Sequence, residues 1–231
     1  MGGGEARAAH ERAVVACRRC PRLVAWREQV AHEKRRAYRE WDYWGRPVPG
    51  FGDHAARVLA VGLAPGAHCS NRTGRMFTGD ASGDFLYPAL HRAGFANQPT
   101  STARDDGLAL HDLYITALCR CVPPANKPTP REIANCRPFL LTERDLLPRV
   151  RVVVALGRVA FEEVWRAYPH ERNSLKRFAF AHGAYGRLGE GLPWLIASYH
   201  PSRQNTNTGR LTARMFDRIW TLARKLAEDE A

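Results

Sequence analysis

Four of the six cysteines stand in a pattern that could hold a metal centre. Cys17-x-x-Cys20 is a tight pair able to grip one centre, and Cys121 and Cys136 recur far along the chain in a loop-to-helix region. Four such thiolates suit either Zn²⁺ or an iron–sulfur cluster, and their spacing does not separate the two. Buried free thiols behaving as small apolar residues are the other reading, and it suits Cys69 and Cys119 better than the Cys17/Cys20 pair. A second candidate is the stretch "GLAPGAHCSNRTGRMFTGD", residues 62–80, between an apolar run and a helix-like segment. Loops of this kind often cradle phosphates, yet neither G-x-x-x-x-G-K-[ST] nor G-x-G-x-x-G is present. Its carboxylate comes only at the last residue, Asp80, where an Asp is also a natural helix N-cap.

The elements that must position these groups alternate along the chain. Helices are expected at 5–19 and 22–39 around the Cys-x-x-Cys turn, with Pro21 suited to opening the second. Residues 41–53, "WDYWGRPVPGFGD", form an ordered aromatic loop. Strands follow at 57–62, 112–118, 151–156 and 194–198, with a weak one near 177–180, and helices at 82–94, 130–146, 158–168 and 211–228. Short apolar strands alternating with helices imply parallel pairing with both faces covered. The expected architecture is an α/β, three-layer α/β/α sandwich on a central four-stranded parallel sheet. Residues 1–231 form one domain, with helices 5–40 packed on it. In such sheets ligands bind beyond the carboxyl ends of the strands. The loops 63–80, 119–129 and 199–209 all emerge there and are long, so together they outline a pocket.

Bulk composition narrows the partner. Lys plus Arg total 35 against 23 Asp plus Glu, a net charge of +12, which favours a polyanion and nucleic acid first. Arg heavily outnumbers Lys, which GC-rich coding alone can also produce. No apolar run approaches the ~20 residues of a membrane span, and the N-terminus has no apolar leader. A cytoplasmic, nucleoid-associated monomer without membrane contact is therefore expected, in which the cysteines build no disulfide framework.

The motifs "GLAPGAH…NRTGR…FTGD", "CRCVPPANKPTP", "SYHPSRQNTNTGRLT" and "CRRCPRLV" agree in order and type with one family. The chain resembles the uracil-DNA glycosylase superfamily over roughly residues 14–226, and most of all its family 5, or type B, iron–sulfur group. That resemblance implies a repair enzyme that flips uracil, and also other deaminated bases such as hypoxanthine, out of DNA. It hydrolyses the N-glycosidic bond without lyase action and leaves an abasic site. It also implies a [4Fe-4S] cluster on Cys17, Cys20, Cys121 and Cys136.

By the same resemblance His200 donates to a uracil carbonyl as charge builds there, and Asp80 orients water or stabilises the cationic sugar. Ala64 stands where several glycosylase families place a water-activating Asp or Asn. Phe77 stacks on the flipped base. Gly62, Ala64, Gly66, Ala67 and His68 wall the base, and Asn126 reads its edge, with a turn role as the alternative. Ala117 marks the strand end where related families place an Asn. Asn71 and Arg72 support the glycine-rich loop or lie at the DNA, and Ser202, Arg203, Gln204, Asn205 and Arg210 are expected at the DNA. Two other readings compete: a non-catalytic iron–sulfur nucleic-acid-binding module, and a nucleotide-phosphate-binding protein. The absence of a Lys after the glycines argues against the second.

Overall fold

The computed structural model describes residues 2–168 and 178–229. Four buried apolar pentapeptides form the middle of the sheet: β2 (Val58–Gly62), β3 (Leu113–Ala117), β4 (Val152–Leu156) and β6 (Trp194–Ser198). They run parallel in the order β3-β2-β4-β6. Two short antiparallel edge strands complete the sheet: β1 (Phe51–Gly52) on β3, and β5 (Tyr185–Arg187) on β6. The sheet is thus mixed and six-stranded, and the expected four-stranded parallel sheet is only its centre. Residues 178–180 carry no strand, and residue 177 lies outside the described residues. The edge strand instead begins at Tyr185.

Alternation along the strands divides the core in two. Val58, Ala60, Val152 and Val154 face a cluster containing Leu86, Leu90, Phe216 and Trp220. These four come from α4 (Ala81–Arg92) and α8 (Ala213–Glu228). Leu59, Val61, Val153 and Ala155 face the second cluster, with Phe139 and Leu140 of α5 (Pro130–Leu146) and Phe161 and Val164 of α6 (Arg158–Ala167). Helices therefore cover both faces, as a parallel sheet requires. Thr129 opens α5 through a full capping box with Glu132, and Thr212 caps α8 by accepting the Met215 N–H.

At the N-terminus, α1 (Gly3–Val15) packs on α5, and α2 (Pro21–Glu33) starts on Pro21. Both are shorter than expected. Lys34 takes φ +54°, a left-handed angle that ends α2 and turns the chain. Two short helices, α3 (Ser70–Thr73) and α7 (Arg203–Asn207), lie within the loops after β2 and β6. Among the described residues no helix is long and apolar enough to cross a membrane.

Candidate active site

The site begins where β2 ends. A Cβ on Gly62 would lie 2.9 Å from Cζ of Phe77, so the missing side chain makes room for the phenyl ring over the strand end. Phe77 itself sits at φ +54°, and its N–H donates to Ser70 Oγ at 3.1 Å. A left-handed backbone at a bulky residue persists only where surroundings impose it, and such residues cluster at functional sites. The loop is held from below by Arg75, a buried group that sequence reasoning missed. Its guanidinium donates to Thr78 Oγ1 at 3.0 Å, Ser101 Oγ at 2.8 Å and Asp106 at 2.7 Å. Ser101 and Asp106 lie in the polar stretch before β3, too distant in sequence for any local pattern to reveal.

His200, two residues beyond β6, brings its ring within 5.9 Å of the Phe77 ring at a tilt of 34°. Burial pushes its pKa down to about 4, against the opposing pull of Asp80. The imidazole is neutral at pH 7, with one N–H to give and one lone pair to receive. Asp80 divides its two oxygens. Oδ1 accepts the Gly83 N–H at 2.9 Å and caps α4, the structural role expected of it. Oδ2 lies on the side of Gly66, 3.6 Å from where a Cβ there would stand. The Cys69 sulfur occupies that missing Cβ position, and burial together with the Asp80 charge holds its thiol protonated. One carboxylate thus caps a helix and also faces the glycine loop beside His200.

The remaining expected residues fall into three groups. Ala64 is half-buried against the second core cluster, with no polar atom to offer water. His68 meets the Tyr43 hydroxyl through Nδ1 at 3.1 Å, and burial followed by the charges of Arg35 and Arg72 lowers its pKa. Gly62 pairs with Ala117, so β2 and β3 end side by side as expected. Asn126 is exposed in a left-handed turn, its N–H on the Pro123 carbonyl at 3.1 Å. Among the described residues no hydrogen bond joins it to Phe77, Asp80 or His200.

Asn71 and Arg72 support the loop, one of the two roles expected of them, and their burial corrects the expected DNA contact. Asn71 is fully buried and donates to the Arg27 carbonyl at 3.2 Å. Arg72 is buried between the rings of Tyr38 and Trp41, and its Nε donates to the His68 carbonyl at 2.9 Å. Both brace the loop from inside.

Beyond β6, Arg203, Gln204 and Arg210 are exposed, with Arg210 stacked 4.6 Å over Tyr199. Ser202 is half-buried, its carbonyl taking the Asn205 N–H at 2.9 Å. Asn205 turns inward and donates to the His200 carbonyl at 2.9 Å. A cleft of about 270 Å³ runs between His200, Tyr199, Arg210 and Gly157. Larger hollows of about 920 and 510 Å³ lie beside α1. Chemistry rather than size marks the site, because the neutral His, the carboxylate and the strained Phe converge only at the strand ends.

The four cysteines are brought together in a separate hollow that shares no lining residue with the His200 cleft. Cys17, Cys20, Cys121 and Cys136 line one small hollow with Leu23, Val24 and Pro47. Donors point at three of the sulfurs. Arg27 Nη1 lies 3.0 Å from Cys121, the Arg120 N–H 3.4 Å from Cys136, and Asn135 Nδ2 3.4 Å from Cys20. Such donors favour thiolate. Cys119 is not among the lining residues; its thiol donates to Cys136 and lowers that neighbour's pKa. Among the described residues no three His, Cys, Asp or Glu converge tightly enough to hold a single metal ion. Between the hollow and the sheet, Arg120 and Glu143 form a buried ion pair, and Glu143 also accepts from Thr116 Oγ1 at 2.6 Å.

Similarity to known proteins agrees with this geometry. The model of the Uracil DNA glycosylase superfamily matches residues 49–224. A Type-5 uracil-DNA glycosylase of Thermus thermophilus is 54% identical over 96% of this chain and 98% of its own length. That of Mycobacterium bovis is 52% identical over 91% of this chain and 78% of its own. That of Pyrobaculum aerophilum is 47% identical over 86% and 84%. With a family model spanning all the strand-end loops and relatives aligned over 86% to 96% of this chain, the chain belongs to the uracil-DNA glycosylase superfamily.

Proposed function

We propose that this protein excises uracil from DNA by hydrolysing the N-glycosidic bond, with Phe77, Asp80 and His200 as the working groups. The observation that carries this reading is the neutral His200 beside the strained Phe77, with Asp80 at the same strand ends. A base inside a duplex is out of reach, so the nucleotide must swing out and be read in a pocket. Phe77 then stacks on the pyrimidine, and the small residues Gly62, Ala64, Gly66 and Ala67 let it approach the backbone, with His68 at the rim.

As the bond lengthens, negative charge collects on the leaving uracil and positive charge on the sugar. The His200 N–H donates to a uracil oxygen where that charge grows, which is the action of an oxyanion donor. Because its imidazole is neutral, no proton need be passed for the base to leave as an anion. Asp80 faces the positive side of the reaction. Its carboxylate stabilises the cationic sugar and orients the water that completes hydrolysis, work that Ala64 cannot do. Two opposite carboxylates, the usual arrangement for glycosides, are not required when the leaving group is a stable anion. Asn126 offers an amide to the base edge from the rim, and a reader set this loosely suits other deaminated bases such as hypoxanthine.

Cys17, Cys20, Cys121 and Cys136 would hold a [4Fe-4S] cluster, for which the donors at their sulfurs are suited. Such a cluster would supply a cross-link joining the α1–α2 turn to α5 and the loop after β3. Arg203, Gln204 and Arg210 take the DNA backbone beside His200, and the protein acts as a monomer in the cytoplasm.

The test is a panel of duplexes carrying one uracil, one hypoxanthine, one xanthine or no lesion, each incubated with the protein and cleaved with alkali. Strand breakage is expected at uracil and at hypoxanthine. No breakage on any duplex would leave the non-catalytic nucleic-acid-binding module as the better reading.

A further inference from the structure

The densest positive charge outside the site described above is the segment Lys34-Arg35-Arg36, with Arg39 and Arg46 just beyond. The four arginines are exposed. Among the described residues none of their guanidinium groups is in an ion pair, although Arg57, Arg75, Arg92 and Arg120 are all paired elsewhere. The Lys34 ammonium instead turns back to the Arg39 carbonyl at 3.1 Å and closes the segment into a loop.

This loop is fastened to the base pocket by its own aromatic residues. Tyr38 and Trp41 sandwich the Arg72 guanidinium at 4.1 and 3.9 Å, and Arg72 donates to the His68 carbonyl at 2.9 Å. The Tyr43 hydroxyl accepts the Arg35 N–H at 3.4 Å and meets His68 Nδ1 at 3.1 Å. The Trp44 and Gly45 N–H groups donate to the carbonyls of Arg72 and Asn71 at 2.9 and 3.0 Å. A loop held at so many points presents its charges with little ordering left to do on binding.

Its place in the fold gives the loop a direction. Arg203 and Arg210 follow β6, at one end of the row of parallel strands. The segment 34–46 rests on the loop after β2, and Val48 next to it bonds the Arg120 carbonyl after β3, at the other end of that row. Phe77, Asp80 and His200 lie between. A strand whose flipped nucleotide enters there must carry its phosphates away to both sides.

We propose that Arg35, Arg36 and Arg39, with Arg46 beside them, form a second phosphate-binding flank that takes the DNA backbone on the side of the base pocket opposite Arg203 and Arg210. The proposal rests on the glycosylase reading for the identity of its partner. The structural role of Tyr38, Trp41 and Tyr43 is then to set this flank in register with His68.

The experiment measures affinity for an undamaged, end-labelled duplex against salt concentration, so that it does not depend on excision. The R35A/R36A/R39A variant should lose about three from the slope of log K on log salt, about one for each phosphate contact. At ~0.15 M salt its Kd should rise at least about tenfold. The charge-preserving R35K/R36K/R39K variant should recover most of that loss, and R149A/K225A, two exposed cations at the opposite edge, should match the wild type. An unchanged slope in the alanine variant overturns the proposal. So does a loss that the lysine variant fails to recover, because the arginines would then serve the fold rather than phosphates. If the wild type excises no uracil but the slope still falls as expected, the flank stands and the glycosylase reading falls.

Discussion

Phe77 shows how the site is assembled from single residues. A left-handed angle of +54° costs a residue of its size about 1–3 kcal/mol, and Gly62 beneath it and Ser70 Oγ behind it leave the ring nowhere else to go. Asp80 holds two roles that substitution can separate. Asp80→Asn keeps an acceptor for the Gly83 N–H, so thermal stability should stay within a few tenths of a kcal/mol while single-turnover excision slows sharply. Asp80→Ala should in addition cost about 1 kcal/mol of stability through the lost cap. Equal rates for wild type and the Asn variant would reduce Asp80 to a cap.

His200 carries a pH signature. Its folded pKa of about 4 lies below the ordinary value of 6.5, so the unfolded chain binds the proton first. Stability from this group is fully present above pH ~6.5 and is lost as pH falls towards 4, by up to about 3 kcal/mol relative to His200→Gln. An imidazole resonance that titrates near pH 6.5 in NMR spectra would contradict the half-buried, neutral ring. The cap at Asp80 was legible because an Asp just before a helix is a short, local signal. The DNA contact expected of Asn71 and Arg72 fails because polar residues in a glycine-rich loop only look solvent-facing. Only the fold shows that Arg27, Tyr38 and Trp41, all distant in sequence, close over them.

At the scale of elements, the four central strands and their covering helices were readable from apolar runs and caps, above all Thr129-Pro130 opening α5. The edge strands β1 and β5 were not, since two or three residues carry no period. Nor was the end of α2, where an ordinary Lys adopts the angle usually left to glycine. The Arg120–Glu143 pair was equally hidden, because a charge's burial depends on what packs over it. It lies between the cysteine hollow and β3, and Glu143 is 2% exposed. Glu143→Ala leaves a buried guanidinium without its counter-charge and should cost about 3–5 kcal/mol in denaturant unfolding. Replacing both partners with apolar residues of similar volume should cost less than that single change. A loss below ~1 kcal/mol for Glu143→Ala would show that water or another group already compensates Arg120.

For the whole molecule, a charge of +12 pointed to a polyanion before any motif did, and the fold gives that charge an address. Exposed arginines lie at both ends of the row of strand ends, with the neutral His, the aromatic ring and the carboxylate between them. The cysteine hollow shares no lining residue with the His200 cleft, which separates what would brace the N-terminal helices from what would act on the base. If the four thiols hold a [4Fe-4S] cluster, the purified protein is brown with about four iron atoms per chain; a colourless protein with one zinc would refute that assignment. The proposed role of Phe77, Asp80 and His200 together is to break the glycosidic bond. Single-turnover formation of abasic sites on a duplex with one uracil tests it most directly. The wild type should convert the duplex completely, and His200→Ala should do so about 10²–10³-fold more slowly with its fold intact. An inactive wild type, or a His200→Ala variant as fast as the wild type, would contradict it.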